Sequence, residues 1–225
     1  MTDTTRGRRQ KRQRDELLDL AAQLLLDRGL EGFSLRELAR RADYTPGALY
    51  NFFPGKDALL EELTRRVFTH FDAYLAEVPH DVPTGRRLAL LSDAYQRFAI
   101  ENPEEYLLLF TRIPAPGSTT FDDPASAPEP WRHLIDAFRQ GALAGELRAR
   151  DDEQARLAFF QFFALHHGLA MLRLTRMKEL PVPFFEGLSR GVRESFVAGL
   201  LDTPDTHPTG DGSPANSKRS RKERS

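Results

Sequence analysis

The chain has no cysteine among its 225 residues, which excludes disulfides, thiolate catalysis and cysteine-ligated zinc. It also lacks a long hydrophobic run. The longest stretch without a charge, residues 157–172, is interrupted by Gln161, His166 and His167 and falls short of the ~20 apolar residues of a spanning helix, so no membrane partner is expected. The N-terminus, MTDTTRGRRQKRQRDE, has no apolar segment behind its charges, so it does not read as a signal peptide and a cytoplasmic location is expected. No segment alternates with the period of a strand. There is no Gly-x-Ser-x-Gly elbow, phosphate-binding glycine-rich loop or metal-ligand spacing, so the chain is not expected to be an enzyme or to need a cofactor. Glu104 and Glu105 are neighbours at a helix start, where they diverge and suit the helix dipole better than paired catalysis.

What is present is helix. Hydrophobic residues make up 40% of the chain and include 16 Phe, enough for a sizeable core. The net charge of −1 argues for no partner by itself, but residues 1–14 hold six basic residues against one acid. A basic front end would suit a polyanion, and a solvated terminus is the equal alternative. Spacing predicts a helix over residues 9–28, with Leu17, Ala21, Leu24 and Leu25 on one face and Gly29 as its C-terminal cap. Ser34-Leu-Arg-Glu37 reads as a capping box in which Ser34 and Glu37 satisfy each other's amides, opening an eight-residue helix with Leu35, Leu38, Ala39 and Ala42 inside. After a turn at Asp43-Tyr44, Thr45 caps a third helix with Pro46 at its first position.

Two short helices joined by a tight turn and braced by a longer one make a helix-turn-helix. Such a pair either only packs or presents its second helix to a DNA major groove. For the second reading, Gly47 and Ala48 allow close approach, Asn51 can pair with adenine or a phosphate, and the Tyr50 hydroxyl suits a phosphate. Lys56, at a helix N-terminus, combines charge and dipole toward an anion.

The stretch from Ser34 to Leu60, SLRELARRADYTPGALYNFFPGKDALL, closely resembles the DNA-binding region of the TetR family of transcriptional regulators. The resemblance covers about residues 10–63. It implies an all-α protein of about nine helices, with a three-helix DNA-binding domain and a larger C-terminal domain that dimerises and binds a small ligand. By position it implies a recognition helix over residues 46–52. Tyr50 and Lys56 would hold phosphates, Thr45, Pro46, Ala48 and Asn51 would face the groove, and Ser34, Arg36 and Gly47 would lie close to the DNA. Asp43-Tyr44 departs from the family's usual Gly-Val, and Pro46 stands where a polar or basic residue is frequent, so readout there would be apolar. The arm Arg6, Arg8, Arg9, Lys11, Arg12 is expected to support DNA contact through Arg8 and Arg9, or to remain a solubilising end.

The expected organisation is a disordered arm over residues 1–8, a DNA-binding domain over 9–55, a ligand-binding and dimerisation domain over 56–201 and a disordered tail over 202–225. The five prolines of residues 114–130 read as a mobile loop. Residues 157–174 are apolar nearly all round, so that helix is buried on more than one side. In the last helix Gly187, Gly191, Ser195 and Gly199 recur every four residues, a small-residue seam for a partner helix or for packing within the chain. With Phe160 and Phe196 it forms the expected homodimer interface.

Phe-Ala-Leu-His-His-Gly-Leu-Ala-Met-Leu, residues 163–172, with Tyr106-Leu-Leu-Leu-Phe110, resembles a TetR subgroup named for a Trp-His-Gly motif. His167-Gly168 matches, and Phe162 or Phe163 stands near the Trp position. His166 and His167 lack the spacing of two ligands to one metal. One histidine is expected to be hydrogen-bonded in the core. Tyr106, Phe110, Trp131, Phe138, Phe162, Phe163, His166 and His167 are the candidates for an apolar effector site. The whole reads as a ligand-responsive DNA-binding regulator, a repressor whose expected partners are an operator duplex and a small hydrophobic effector, and a helical dimer without DNA binding is the rival.

Overall fold

The computed structural model describes residues 5–112 and 129–202. The expected mobile loop lies almost entirely outside the described residues, as does nearly all of the expected tail. Among the described residues, nine α-helices follow in order: α1 Thr5–Arg28, α2 Leu35–Arg41, α3 Pro46–Tyr50, α4 Lys56–Ala76, α5 Thr84–Glu101, α6 Pro103–Leu107, α7 Glu129–Leu143, α8 Asp152–Met171 and α9 Val182–Leu200. α6 and α8 each widen into a π-helical turn, over Leu108–Arg112 and Leu172–Arg176. The only extended pairing among the described residues is the bridge between Leu147 and Leu201.

Local chemistry sets the head. Ser34 accepts from the Glu37 N–H at 3.2 Å, and Thr45 accepts from the Ala48 N–H at 3.2 Å, each satisfying one orphan donor at a helix start. The expected reciprocal box is only half formed. Glu37 turns away from Ser34 to Arg40, at 2.9 and 2.8 Å, and to Arg41 at 3.3 Å. Its hydrogen bond with Arg40 pulls its carboxyl down to about 2, and Arg41 and Arg28 act in the same direction. Charged guanidinium donors outcompete a neutral amide for a carboxylate. Asp43, where the family resemblance has glycine, holds a left-handed φ of 58° in the turn between α2 and α3. α1 begins at Thr5, so the expected arm over residues 1–8 is helical from its fifth residue. α3 ends at Tyr50, two residues before the expected end.

α4 joins the head to the body. Leu59, Leu60 and Leu63 complete the head's core around Leu17, Leu24, Leu38, Leu49 and Phe53, while Val67, Phe71 and Leu75 enter the body's core. Buried apolar side chains run without a gap across the expected boundary at 55/56. The body packs α4, α5, α7 and α8 around Phe71, Tyr95, Phe98, Trp131 and Phe159. Asp151 caps α8 by accepting from the Gln154 N–H at 2.8 Å. By length and hydropathy alone, Asp152–Arg176 is apolar enough to cross a membrane, which run length had argued against. Within this fold it buries Ala155, Phe159, Phe162, His166 and Ala170 against its neighbours.

α9 lies against α5 and α8 and buries only Phe185 and Val197. A Cβ added at Gly187, Gly191 or Gly199 would meet nothing within 4 Å, so the small-residue seam faces outward and is not an intrachain packing seam. Phe160 is 38% and Phe184 60% exposed, and Ser195 is exposed while Phe196 is half-buried.

Candidate nucleic-acid interface

The head's outer face collects the residues singled out from the sequence. Leu49 and Phe53 anchor α3 inward, with 1% and 0% exposure. Thr45, Pro46, Gly47 and Asn51 stand on the outside with Tyr50, which is 52% exposed. Ala48 is half-buried, and Ser34 and Arg36 are exposed on the adjoining start of α2. A Cβ on Gly47 would meet nothing within the chain, so the backbone there is open to close approach. Arg8 and Arg9 are exposed on the first turns of α1. A short helix backed by a core and carrying polar and small residues on its free side can enter a groove without unfolding.

Lys56 has a second attachment that its sequence position did not reveal. Its ammonium donates to the carbonyls of Leu30 at 2.8 Å and Phe33 at 3.3 Å and sits 5.6 Å from the Phe33 ring centroid. It ties the start of α4 to the loop between α1 and α2, leaving one of its three protons for an outside acceptor. Arg14 was not singled out from the sequence either. It links α1 to Phe52 and Glu62, and no local motif announces a contact 38 or 48 residues away.

The effector candidates divide. Phe138, Phe162 and His166 are core, each at most 1% exposed. His166 donates from Nδ1 to the Phe162 carbonyl at 2.8 Å, which leaves Nε2 to accept from the Ser92 hydroxyl. Gln96 donates to the His166 carbonyl at 2.7 Å. Burial pushes the His166 imidazole down to about 4, so it is neutral near pH 7. Tyr106, Phe110, Trp131, Phe163 and His167 form a second cluster, with Phe110–His167 centroids 4.7 Å apart and Trp131–Phe163 centroids 5.1 Å apart. Tyr95, Tyr106 and His167 are chained by hydrogen bonds of 3.0 and 2.7 Å. Burial lowers the His167 pKa and raises that of Tyr106. The two histidines thus answer to different partners on different sides of α8.

The family model described as "Bacterial regulatory proteins, tetR family" matches residues 17–63, and that described as "Tetracyclin repressor-like, C-terminal domain" matches residues 88–184. The HTH-type transcriptional repressor KstR2 of Mycolicibacterium smegmatis is 44% identical over 52 residues, 23% of this chain and 25% of that protein. The uncharacterised HTH-type transcriptional regulator YobS of Bacillus subtilis is 32% identical over 90 residues, 40% of this chain and 47% of that protein. These matches span a quarter to a half of the relatives' own length. In fold, the chain is similar to the transcriptional regulator FadR from Bacillus subtilis, solved in complex with stearoyl-CoA, with a TM-score of 0.64, 17% identity, and coverage of 83% of this chain and 98% of that one. With matches at both ends of the fold that together take in more than half of its residues, the chain belongs to the TetR family of bacterial regulatory proteins.

Proposed function

We propose that this protein is a sequence-specific DNA-binding transcriptional regulator, a repressor that a small hydrophobic effector releases from its operator. The observation that carries the reading is the outer face of α3, where Thr45, Pro46, Gly47, Tyr50 and Asn51 stand free on a helix fixed from behind by Leu49 and Phe53. In this reading Asn51 reads a base edge, Pro46 offers apolar contact to a thymine methyl, and Tyr50 and the remaining proton of Lys56 hold phosphates. Arg36, Arg8 and Arg9 add backbone contacts. The reading head comprises residues 9–55 together with the first two turns of α4, and the remainder is the effector and dimerisation body.

The outward glycine face of α9, together with the exposed Phe160 of α8 and Phe184 of α9, is the surface a second copy would cover, because small residues let helices approach closely. A homodimer would set two α3 helices about 34–36 Å apart on successive major grooves of a pseudo-palindromic site. The effector would bind beside Tyr106, Phe110, Trp131, Phe163 and His167. His167-Gly168 supports placing the body in the Trp-His-Gly subgroup, and the stearoyl-CoA complex of FadR supports an apolar effector class. Release requires the effector to favour a dimer whose α3 helices no longer match the operator spacing.

Selection of bound sites from random duplexes tests the reading. Wild type should enrich a palindrome. Tyr50→Phe should weaken binding to all sequences alike, whereas Asn51→Ala should relax the preference at one position per half-site. A folded wild-type protein that enriches nothing at low salt refutes the proposal.

A further inference from the structure

α3 is five residues long and packs chiefly on α2. A helix of that length holds no orientation of its own, so its angle in the head depends on what fixes its ends. Thr45 caps the front. At the rear, where Leu49 and Phe53 are buried in the core, a side chain from α1 adds a polar tie. Arg14 donates from Nη1 to the Phe52 carbonyl at 2.6 Å, two residues beyond the end of α3. The same guanidinium donates from Nε to Glu62 of α4 at 2.5 Å and from Nη2 to the second Glu62 oxygen, and it stands 4.7 Å from the Phe53 ring centroid. Its planar fork therefore joins three elements in a fixed geometry that a lysine cannot reproduce. Glu62 holds the fork from below, with 16% of its side chain exposed, and partial burial limits salt screening of the pair.

We infer that Arg14 is a positioning residue for DNA reading: with Glu62 it sets the angle at which α3 meets the groove, and it touches no DNA itself. The inference rests on the DNA-binding function proposed above. It makes a prediction opposite in sign to simple electrostatics. Glu62 is an acid in a head that faces a polyanion, so neutralising it should tighten binding if charge alone mattered. If Glu62 anchors the latch, neutralising it loosens α3 and weakens binding.

The test uses the full chain and the operator selected by wild type, with affinity measured by fluorescence anisotropy across a salt series. The temperature is one at which circular dichroism shows every variant fully folded. Arg14→Ala and Glu62→Gln should each weaken binding roughly tenfold to a hundredfold, the range of a lost charge-assisted hydrogen bond. Arg14→Ala/Glu62→Gln should be no weaker than the poorer single variant, and Arg14→Lys should recover part of the loss. The salt slope should stay at its wild-type value. A slope shallower by about one unit in Arg14→Ala would make Arg14 a phosphate contact and overturn the inference. So would Glu62→Gln binding as tightly as wild type or tighter. Wild type that selects no operator sinks the DNA-binding function itself. Wild type that binds, weakened by Tyr50→Phe but unaffected at Arg14 and Glu62, sinks this inference alone.

Discussion

Acidification from pH 7 to 5 should destabilise the protein, with His166 as the largest contributor. His166 is fully buried in α8, stacked on Phe162 with centroids 4.0 Å apart. Its Nδ1–H is committed to the Phe162 carbonyl, so a second proton would have to enter at Nε2, against the Ser92 oxygen. Burial holds its pKa at about 4 in the folded chain, against ~6.5 in an unfolded one. Between those values the unfolded chain binds the extra proton and the folded chain does not. The stability contributed is therefore complete above the unfolded pKa and drains away as pH falls from ~6.5 toward 4. At 1.36 kcal/mol per pH unit the loss is about 2 kcal/mol at pH 5 and about 3 kcal/mol once pH 4 is reached. The assay is urea unfolding followed by the fluorescence of Trp131 at fixed protomer concentration, since dissociation of the proposed dimer would otherwise contribute. His166→Gln is measured beside wild type at each pH. It should be less stable than wild type at pH 7, and the gap should close by about 2 kcal/mol at pH 5. Subtracting the two curves cancels the contributions of His167 and of Glu37. Parallel curves over that range would show that His166 charges as readily in the fold as outside it, and would refute the argument.

Three other substitutions bear on separate features. Gly191→Leu should leave each protomer folded and abolish dimerisation in light scattering; a dimer that persists removes α9 from the interface. Asp43→Gly should stabilise, because a left-handed φ costs an L-residue roughly 1–2 kcal/mol, least for Asp, and glycine's extra freedom when unfolded returns part of it. The net gain should be about 0.5 kcal/mol in denaturant unfolding, and a loss would mean that the Asp43 side chain contributes more than its backbone costs. Gly141→Ala would improve helix propensity by about 1 kcal/mol at an open site. Here a new Cβ would stand 2.4 Å from Thr84 Cγ2 and 3.0 Å from Leu147, so a lower thermal midpoint is expected, and a higher one would mean that α5 and α7 separate at little cost.

Helix identity and the face of the head were legible because both are written locally. Ser34 and Thr45 each cap the helix that the sequence assigned to them, and apolar stripes marked the sides of α1 and α2 that lie inside. Much of what stayed hidden was decided by side-chain contacts that no local pattern announces. The π-helical turns after α6 and α8 carry no composition of their own. Glu37 satisfies the pattern of a capping box, yet three arginines reach it first. Arg14 looked like a generic basic residue, and Lys56 was read only as a phosphate holder, because their acceptors within the chain are carbonyls and a carboxylate brought near only by folding. The helical start of α1 was concealed by charge, which suggested an unstructured arm although no residue between Thr5 and Arg14 breaks a helix except Gly7. Sequence grouped the aromatic residues correctly as apolar, but it could not separate Phe162 and His166 from Phe163 and His167, since adjacent residues on α8 diverge by about 100°.

The shared role of α4 constrains how such regulators can be recombined. A crossover at the Pro54-Gly55 loop, the natural place to cut by eye, would strip Leu59, Leu60 and Leu63 from the leucines and phenylalanines they cover in the head. A hybrid would then inherit a reading surface with someone else's floor beneath it. Moving the joint beyond Leu63 transfers the floor together with Glu62, so that the transplanted α3 arrives with both its hydrophobic support and its latch.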